Sequence, residues 1–404
     1  MGLALEGIKV VETAVVYAGP MAVRLLADWG ADVIKIEHPV RGDLARYESA
    51  KRGGKAIVSD INYRLENYNR NKRAITLDLS KKGSQEVIYK LLEKADVFVS
   101  NFRPRELKKF KLEYDTLSQL NPRLIYASVT GQGRKGHDRD LPAYEFTSYF
   151  PRSGVLHLLQ LPGTPPVQPP LGLGDNVTGL ALACGIMAAL FVREKTGVGQ
   201  EVDVSLFQTG VHTLSLPVAG SLVTGQDLRQ VDRKDIANAL VNPYQTKDGR
   251  WLFLGISQQD LYWSKFCQAI EREDLEHDPK FVSFEPRIEN HVTLFQILEE
   301  TFLGKTLEEW KVRLNEADLP WAPVQNFPEV TTDPQARAND FFVSYGHPIY
   351  GHIEGVANPI KLSKSPATVR MPAPEIGQHT EEVLLEHGYT WEDIERLKEQ
   401  GIIA

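Results

Sequence analysis

Cysteine is nearly absent from this chain. Cys184 and Cys267 are its only two and stand far apart, which excludes a disulfide framework and a CxxC-type zinc site. Their scarcity predicts reduced thiols in a cytoplasmic protein, each acting as a small apolar residue. Long hydrophobic runs are missing as well. The longest covers residues 180–192 and stops at Arg193-Glu194, short of the ~20 residues a membrane span needs, so it predicts a buried helix and no membrane contact. The opening MGLALEGIKVVE has neither a basic n-region nor a long apolar h-region, and no signal peptide is expected. Glu6 stands where a myristoylation motif requires Ser or Thr. There is no basic surplus: 46 Lys plus Arg face 53 Asp plus Glu, a net charge of −7. A general nucleic-acid binder is thereby excluded, while a local basic cluster can still hold a small anion. No HExxH, GxSxG or P-loop pattern occurs, so metalloprotease, serine-hydrolase and kinase chemistry gain no support.

What is present is an ordinary globular composition, 42% apolar and 25% charged over 404 residues. At ~150 residues per domain, that length predicts two or three domains. The first 130 residues alternate strand and helix. Residues 8–12 and 32–37 read as strands around a helix over 21–29, which Pro20 opens and Gly30 ends. This is a βαβ unit and implies a parallel sheet. Residues 74–79, 96–100 and 124–129 read as further strands. Ser80 is a candidate cap for a helix whose apolar face carries Val87, Ile88, Leu91, Leu92 and Ala95.

Five prolines between 162 and 170 form an extended connector to Gly172-Leu173-Gly174-Asp175. A long helix is expected from about 176 to 195, and a strand over 201–206. The composition turns polar near 225. Residues 228–330 carry their own strand (251–256) and amphipathic helices (261–270, 292–303, 307–317), which predicts a second, smaller domain. A last helix is expected near 390–400.

Two readings fit Asp175. It precedes a long apolar helix, where Asp is a favoured N-cap. The same place suits an ionised carboxylate, neighbouring glycines clear space beside it, and such a group can act as a nucleophile on an activated acyl group. Glu145 fits either a boundary carboxylate or a buried partner of Asp175. Gly131, Gly133 and Gly136 match GxGxxG, but a loop follows them instead of a helix, so a nicotinamide site is not expected. His137 in that loop is expected to face solvent. Basic residues gather at two strand ends: Arg70, Lys72 and Arg73 before one, and Arg103, Arg105, Lys108 and Lys109 after another. Strand ends of a parallel sheet are where ligands bind. With Phe102 beside them, these groups suit a phosphorylated ligand with a stackable ring, or else simply a solvated surface.

Across the whole chain the sequence resembles the class III CoA-transferase (CaiB/BaiF) family. The matching segments are residues 18–20, 27–37 with Gly42-Asp43, 69–73, 101–104, Gly174-Asp175, 195–200 and 377–380, in that order. The resemblance implies an α/β fold: a large Rossmann-like domain built from both chain ends (1–227 and 331–404) and a smaller α/β domain (228–330). It also implies an open-ring subunit interlocked in a dimer. It makes Asp175 the nucleophile, passing through aspartyl-acyl anhydride and aspartyl-CoA thioester intermediates, with Glu145 beside it. Coenzyme A is then a substrate, and neither a metal nor a nicotinamide is required. His38, Arg41, Lys72, Asn101, Phe102 and Lys109 fall where relatives hold the adenine and phosphates of CoA.

The sequence also departs from parts of the family. Members acting on formyl-CoA and oxalate carry Gln at the position of Tyr17 and a glycine-rich loop where this chain reads DRKDIAN from Asp232. Tyr144-Glu145 stands where the racemase branch has a His-Asp pair, leaving racemisation as the alternative reaction. The segment 149–154 (YFPRSG) resembles that of transferases for aryl or 2-hydroxy acids, and of succinyl-CoA-dependent enzymes for benzylsuccinate-type acids of anaerobic aromatic degradation. Tyr17 and Arg152 are thus the expected substrate contacts. The expected donor is a small acyl-CoA such as succinyl-CoA. The expected partner is a second copy of the chain or a related subunit, which leaves open a CoA-binding role within a heteromer.

Overall fold

A computed structural model of the chain describes residues 2–47 and 59–404. It divides into two compact units: Met1–His157, Gln168–Asp227 and Arg337–Ala404 form the larger, Leu158–Val167 and Leu228–Ala336 the smaller.

The larger unit is built on six parallel strands: β1 (Lys9–Glu12), β2 (Asp32–Glu37), β3 (Arg73–Thr76), β4 (Val97–Ser100), β5 (Ile125–Thr130) and β6 (Glu201–Ser205). Their spatial order is β3-β2-β1-β4-β5-β6, the doubly wound order of Rossmann folds. These strands read as continuous apolar runs because helices cover both sheet faces. Neighbouring residues go to opposite cores, Val10 and Val97 to one, Val11 and Phe98 to the other. The C-terminus closes the β3 edge, where Ala404 donates its N–H to Thr76 Oγ1 at 2.9 Å.

Two helices matter for the site. Helix α1 (Ala18–Asp28) leaves the turn after β1, with Pro20 in its first turn. Helix α2 (Leu173–Thr196) starts three residues earlier than the sequence predicts, so Asp175 lies inside its first turn. By length and apolar composition alone α2 is long enough to cross a membrane. In this fold it lies on α1, burying Leu182, Ala183, Ile186 and Leu190 in the core the two helices share. The helix over Ser84–Leu92 begins at Gly83 and takes no cap from Ser80, whose hydroxyl bonds Asp78 instead at 2.6 Å.

The smaller unit carries the antiparallel strands β7 (Val241–Gln245), β8 (Trp251–Gly255) and β9 (Trp321–Pro323). Its helices bury Trp263, Phe266, Leu298, Phe302 and Trp310, and Trp310 Nε1 donates to the Phe302 carbonyl at 2.9 Å. A further antiparallel pair, β10 (Phe342–His347) and β11 (Gly351–Val356), belongs to the larger unit.

Candidate active site

The connections of the parallel sheet reverse between β1 and β4, which opens a crevice at their C-terminal ends. The turn after β1 supplies Val15, Val16 and Tyr17, and the segment after β4 begins with Asn101. These four residues and Asp175 line one cavity of about 80 Å³. Three positions singled out from sequence (Tyr17, Asn101 and Asp175) are therefore brought together.

The first turn of α2 settles the capping question. Gly172 is the N-cap residue, in the left-handed region at φ 87°, and a Cβ there would meet the Tyr68 hydroxyl. A Cβ on Gly174 would come 2.5 Å from the Tyr149 ring. Both glycines are thus required by close approach. Three N–H groups of this turn go to Glu145, whose buried carboxylate accepts from Gly172, from Gly174 at 2.8 Å and from Asp175 at 3.2 Å. Asp175 does not cap the helix. The residue is 8% exposed, and its carboxyl has no hydrogen-bond partner among the described residues.

The electrostatics follow from that arrangement. Burial raises the Glu145 carboxyl above the usual range, against the pull of its three N–H donors. Burial, and then the nearby Glu145 charge, push Asp175 up to about 8. A buried carboxyl without hydrogen bonds, facing a cavity and a like charge, is held toward its neutral form and is more basic than an ordinary aspartate once ionised. Beside it, Tyr68 stacks on Tyr17 with ring centroids 4.6 Å apart and donates its hydroxyl to Asn176 Oδ1 at 3.0 Å. Nothing in the sequence marked Tyr68, because only the fold carries it to α2.

The other expected contacts lie in different settings. His38 follows β2; its Nδ1 accepts from the backbone of Val40 and Arg41, and its Nε2 lies 3.8 Å from Asp78. Arg41 is exposed in the same turn. Phe102 is half-buried against Phe110, and the Lys109 ammonium lies 5.5 Å from the Phe110 ring. Lys72, expected beside the CoA phosphates, is fully buried, and its ammonium is taken up by Glu12 at 2.8 Å, the Pro20 carbonyl at 3.1 Å and Asn69 at 3.2 Å. The Asn101 amide brackets Val15, donating to its carbonyl at 2.7 Å and accepting from its N–H at 3.1 Å. Arg152 is exposed but engaged, bonding Gln132 at 2.8 Å and Asp138.

The sheet has the Rossmann strand order and a buried carboxyl stands at the crevice where its connections reverse; comparison with known proteins gives the class of enzyme. The chain matches CoA-transferase family III over residues 5–380 and belongs to that family. It is a CoA-transferase, with CoA thioesters as substrates. It is 36% identical over 403 residues to (R)-2-hydroxy-4-methylpentanoate CoA-transferase of Clostridioides difficile, covering 99% of each chain. It is 33% identical over 395 residues to cinnamoyl-CoA:phenyllactate CoA-transferase of Clostridium sporogenes, covering 97% of this chain and 95% of that one. Among solved structures, a CaiB/BaiF family protein from Brucella suis superposes with a TM-score of 0.82 at 27% identity, over 96% of this chain and all of the other.

Proposed function

We propose that the enzyme moves CoA from a small acyl-CoA donor, succinyl-CoA in the first instance, to a 2-hydroxy or aryl-substituted carboxylic acid, with Asp175 as the covalent nucleophile. The observation that carries this reading is the Asp175 carboxyl itself: buried, without hydrogen bonds, and facing the cavity at the sheet's ligand edge. An Asp175 oxygen attacks the thioester carbonyl, the C–S bond breaks, and CoA leaves as thiolate from a mixed anhydride. The thiolate then attacks the Asp175 carbonyl carbon. The C–O bond to the donor breaks, releasing the donor acid as carboxylate and leaving an aspartyl-CoA thioester. The acceptor carboxylate repeats the sequence in reverse, takes CoA and restores Asp175. One thioester replaces another, so no bond energy has to be supplied from outside.

Glu145 takes up N–H groups of the first turn of α2, which leaves the Asp175 carboxyl free to face the cavity. His38, Arg41, Phe102 and Lys109, all after β2 or β4, form the proposed CoA-binding edge of the larger unit. Tyr17 forms the acyl-side wall, and Arg152, at the outer rim, is the contact for a second carboxylate. Names of similar proteins favour a 2-hydroxy acid acceptor: two of them act on 2-hydroxy-4-methylpentanoate and phenyllactate. Succinyl-CoA is the donor in the names of others. Free thiols at Cys184 and Cys267 support a cytoplasmic setting. The helix Ser215–Thr224 exposes Leu216, Leu222 and Val223, which supports association with a second copy.

The test is transfer from succinyl-CoA to a panel of 2-hydroxy and aryl-substituted acids, followed by mass spectrometry. The wild-type chain forms the acceptor's CoA thioester, whereas Asp175→Ala still binds CoA and forms none. Transfer by the variant would refute the mechanism. If the wild type shows only α-proton exchange of an acyl-CoA in D2O, the reaction is racemisation instead.

A further inference from the structure

Val16 stands out in the cavity wall. It is β-branched, yet it holds φ at 73°, in the left-handed region that such side chains avoid. It persists there because two side chains from different strand ends grip the turn. Asp43 Oδ1 accepts the Val16 N–H at 2.9 Å. Asn101 brackets Val15 on both its N–H and its carbonyl.

Asp43 is in turn fixed by a line of buried charges at the ends of β1, β2 and β3. Its other oxygen pairs with Lys35 Nζ at 2.9 Å. Lys35 also donates to the Ala14 carbonyl at 2.9 Å and lies 3.8 Å from Glu12, which pairs with Lys72 at 2.8 Å. All four side chains are fully buried. Buried ion pairs of this kind add little net stability over apolar packing, and holding one geometry is among the roles they serve. Here the line ends on the backbone N–H of a strained residue. Val16 sets the direction in which Tyr17 and α1 leave β1, and both residues line the cavity with Asp175.

We propose that Asp43 and Asn101 are positioning residues. Together they hold the Val15–Val16 turn in the left-handed conformation that places the cavity wall opposite Asp175. This rests on Asp175 being the reacting group. It gives Asn101 and Lys72 a role that contact with CoA does not require.

The experiment compares Asp43→Asn, Asn101→Ala and Asn101→Ala/Val16→Gly with wild type and Asp175→Ala in steady-state transfer from succinyl-CoA. A misplaced wall lowers kcat by ~10–100-fold in both single variants, while KM for the acyl-CoA changes less than ~3-fold. Glycine takes the left-handed conformation without strain, so Val16→Gly restores kcat of the Asn101→Ala protein by at least ~5-fold. A merely structural role would lower the melting temperature and leave kcat per folded molecule unchanged. A CoA contact at Asn101 would raise KM, with no rescue by glycine. Either result overturns the proposal. Should Asp43→Asn fail to fold, half-buried Asn101 and its double variant carry the test alone. If Asp175→Ala remains active, the nucleophile reading falls; if it is inactive while both clamp variants turn over as wild type, only the clamp falls.

Discussion

Glu145 accepts the backbone N–H of Asp175 at 3.2 Å, so the two carboxyls meet at one helix terminus in unlike roles. Glu145 takes three N–H donors of the turn, and the Asp175 carboxyl takes none. The difference is what assigns them separate parts in the proposed mechanism, Glu145 holding the turn and Asp175 reacting.

That asymmetry fixes a pH dependence. Burial and then Glu145 raise the Asp175 carboxyl to about 8, and only its ionised form attacks. In the free enzyme kcat/KM should therefore fall as the pH drops below ~8. Glu145→Gln removes the like charge and should move the inflection to lower pH, still above an ordinary Asp because burial remains. A pH–rate profile of the two proteins checks this; an unmoved inflection would remove Glu145 from any role in tuning Asp175.

The same shift costs stability. An Asp raised to about 8 in the folded state, against ~3.9 unfolded, favours folding only while it is protonated. That contribution is complete below ~4 and is lost progressively as the pH rises towards 8. Asp175→Asn should thus gain on wild type across this window and hold a constant advantage above it. Melting temperatures from pH 5 to pH 9 measure it. A gap independent of pH would mean that Asp175 is not desolvated.

Lys72→Met separates a core residue from a ligand contact. Breaking its buried pair with Glu12 should cost about 3–5 kcal/mol of stability. Protein that does fold should show no salt-dependent rise in KM for the acyl-CoA. Denaturant titration and kinetics at two ionic strengths test both halves.

Much of this fold is legible in the sequence, and the reason is physical. Residues 8–12, 32–37, 96–100 and 124–129 are apolar on both sides because helices cover both faces of the sheet, and such runs stand out. Asp175 is legible through Gly172 and Gly174, whose missing side chains the Tyr68 hydroxyl and Tyr149 ring demand. Its setting is less so. An Asp before an apolar run reads as an N-cap, and only the fold reveals that Glu145, thirty residues earlier, holds that place. The setting of Lys72 is hidden for a related reason: only the fold shows that a basic residue next to a strand end is buried against Glu12. The Asp43–Val16 clamp spans 27 residues and leaves no periodic trace.

Leu216 and Val223 are 85% and 86% exposed on one short apolar helix. If the chain associates with a second copy through this helix, replacing both with Asp should lower the mass found by light scattering. Unchanged mass would place the interface elsewhere.

The central claim is the covalent role of Asp175, and its most direct measurement is trapping. The enzyme is incubated with an acyl-CoA, quenched with hydroxylamine, digested and sequenced by tandem mass spectrometry. The account predicts a hydroxamate on Asp175 that appears only with acyl-CoA present and is absent from Asp175→Ala. A label on Glu145, or an unlabelled Asp175 peptide from enzyme that is turning over, would contradict it.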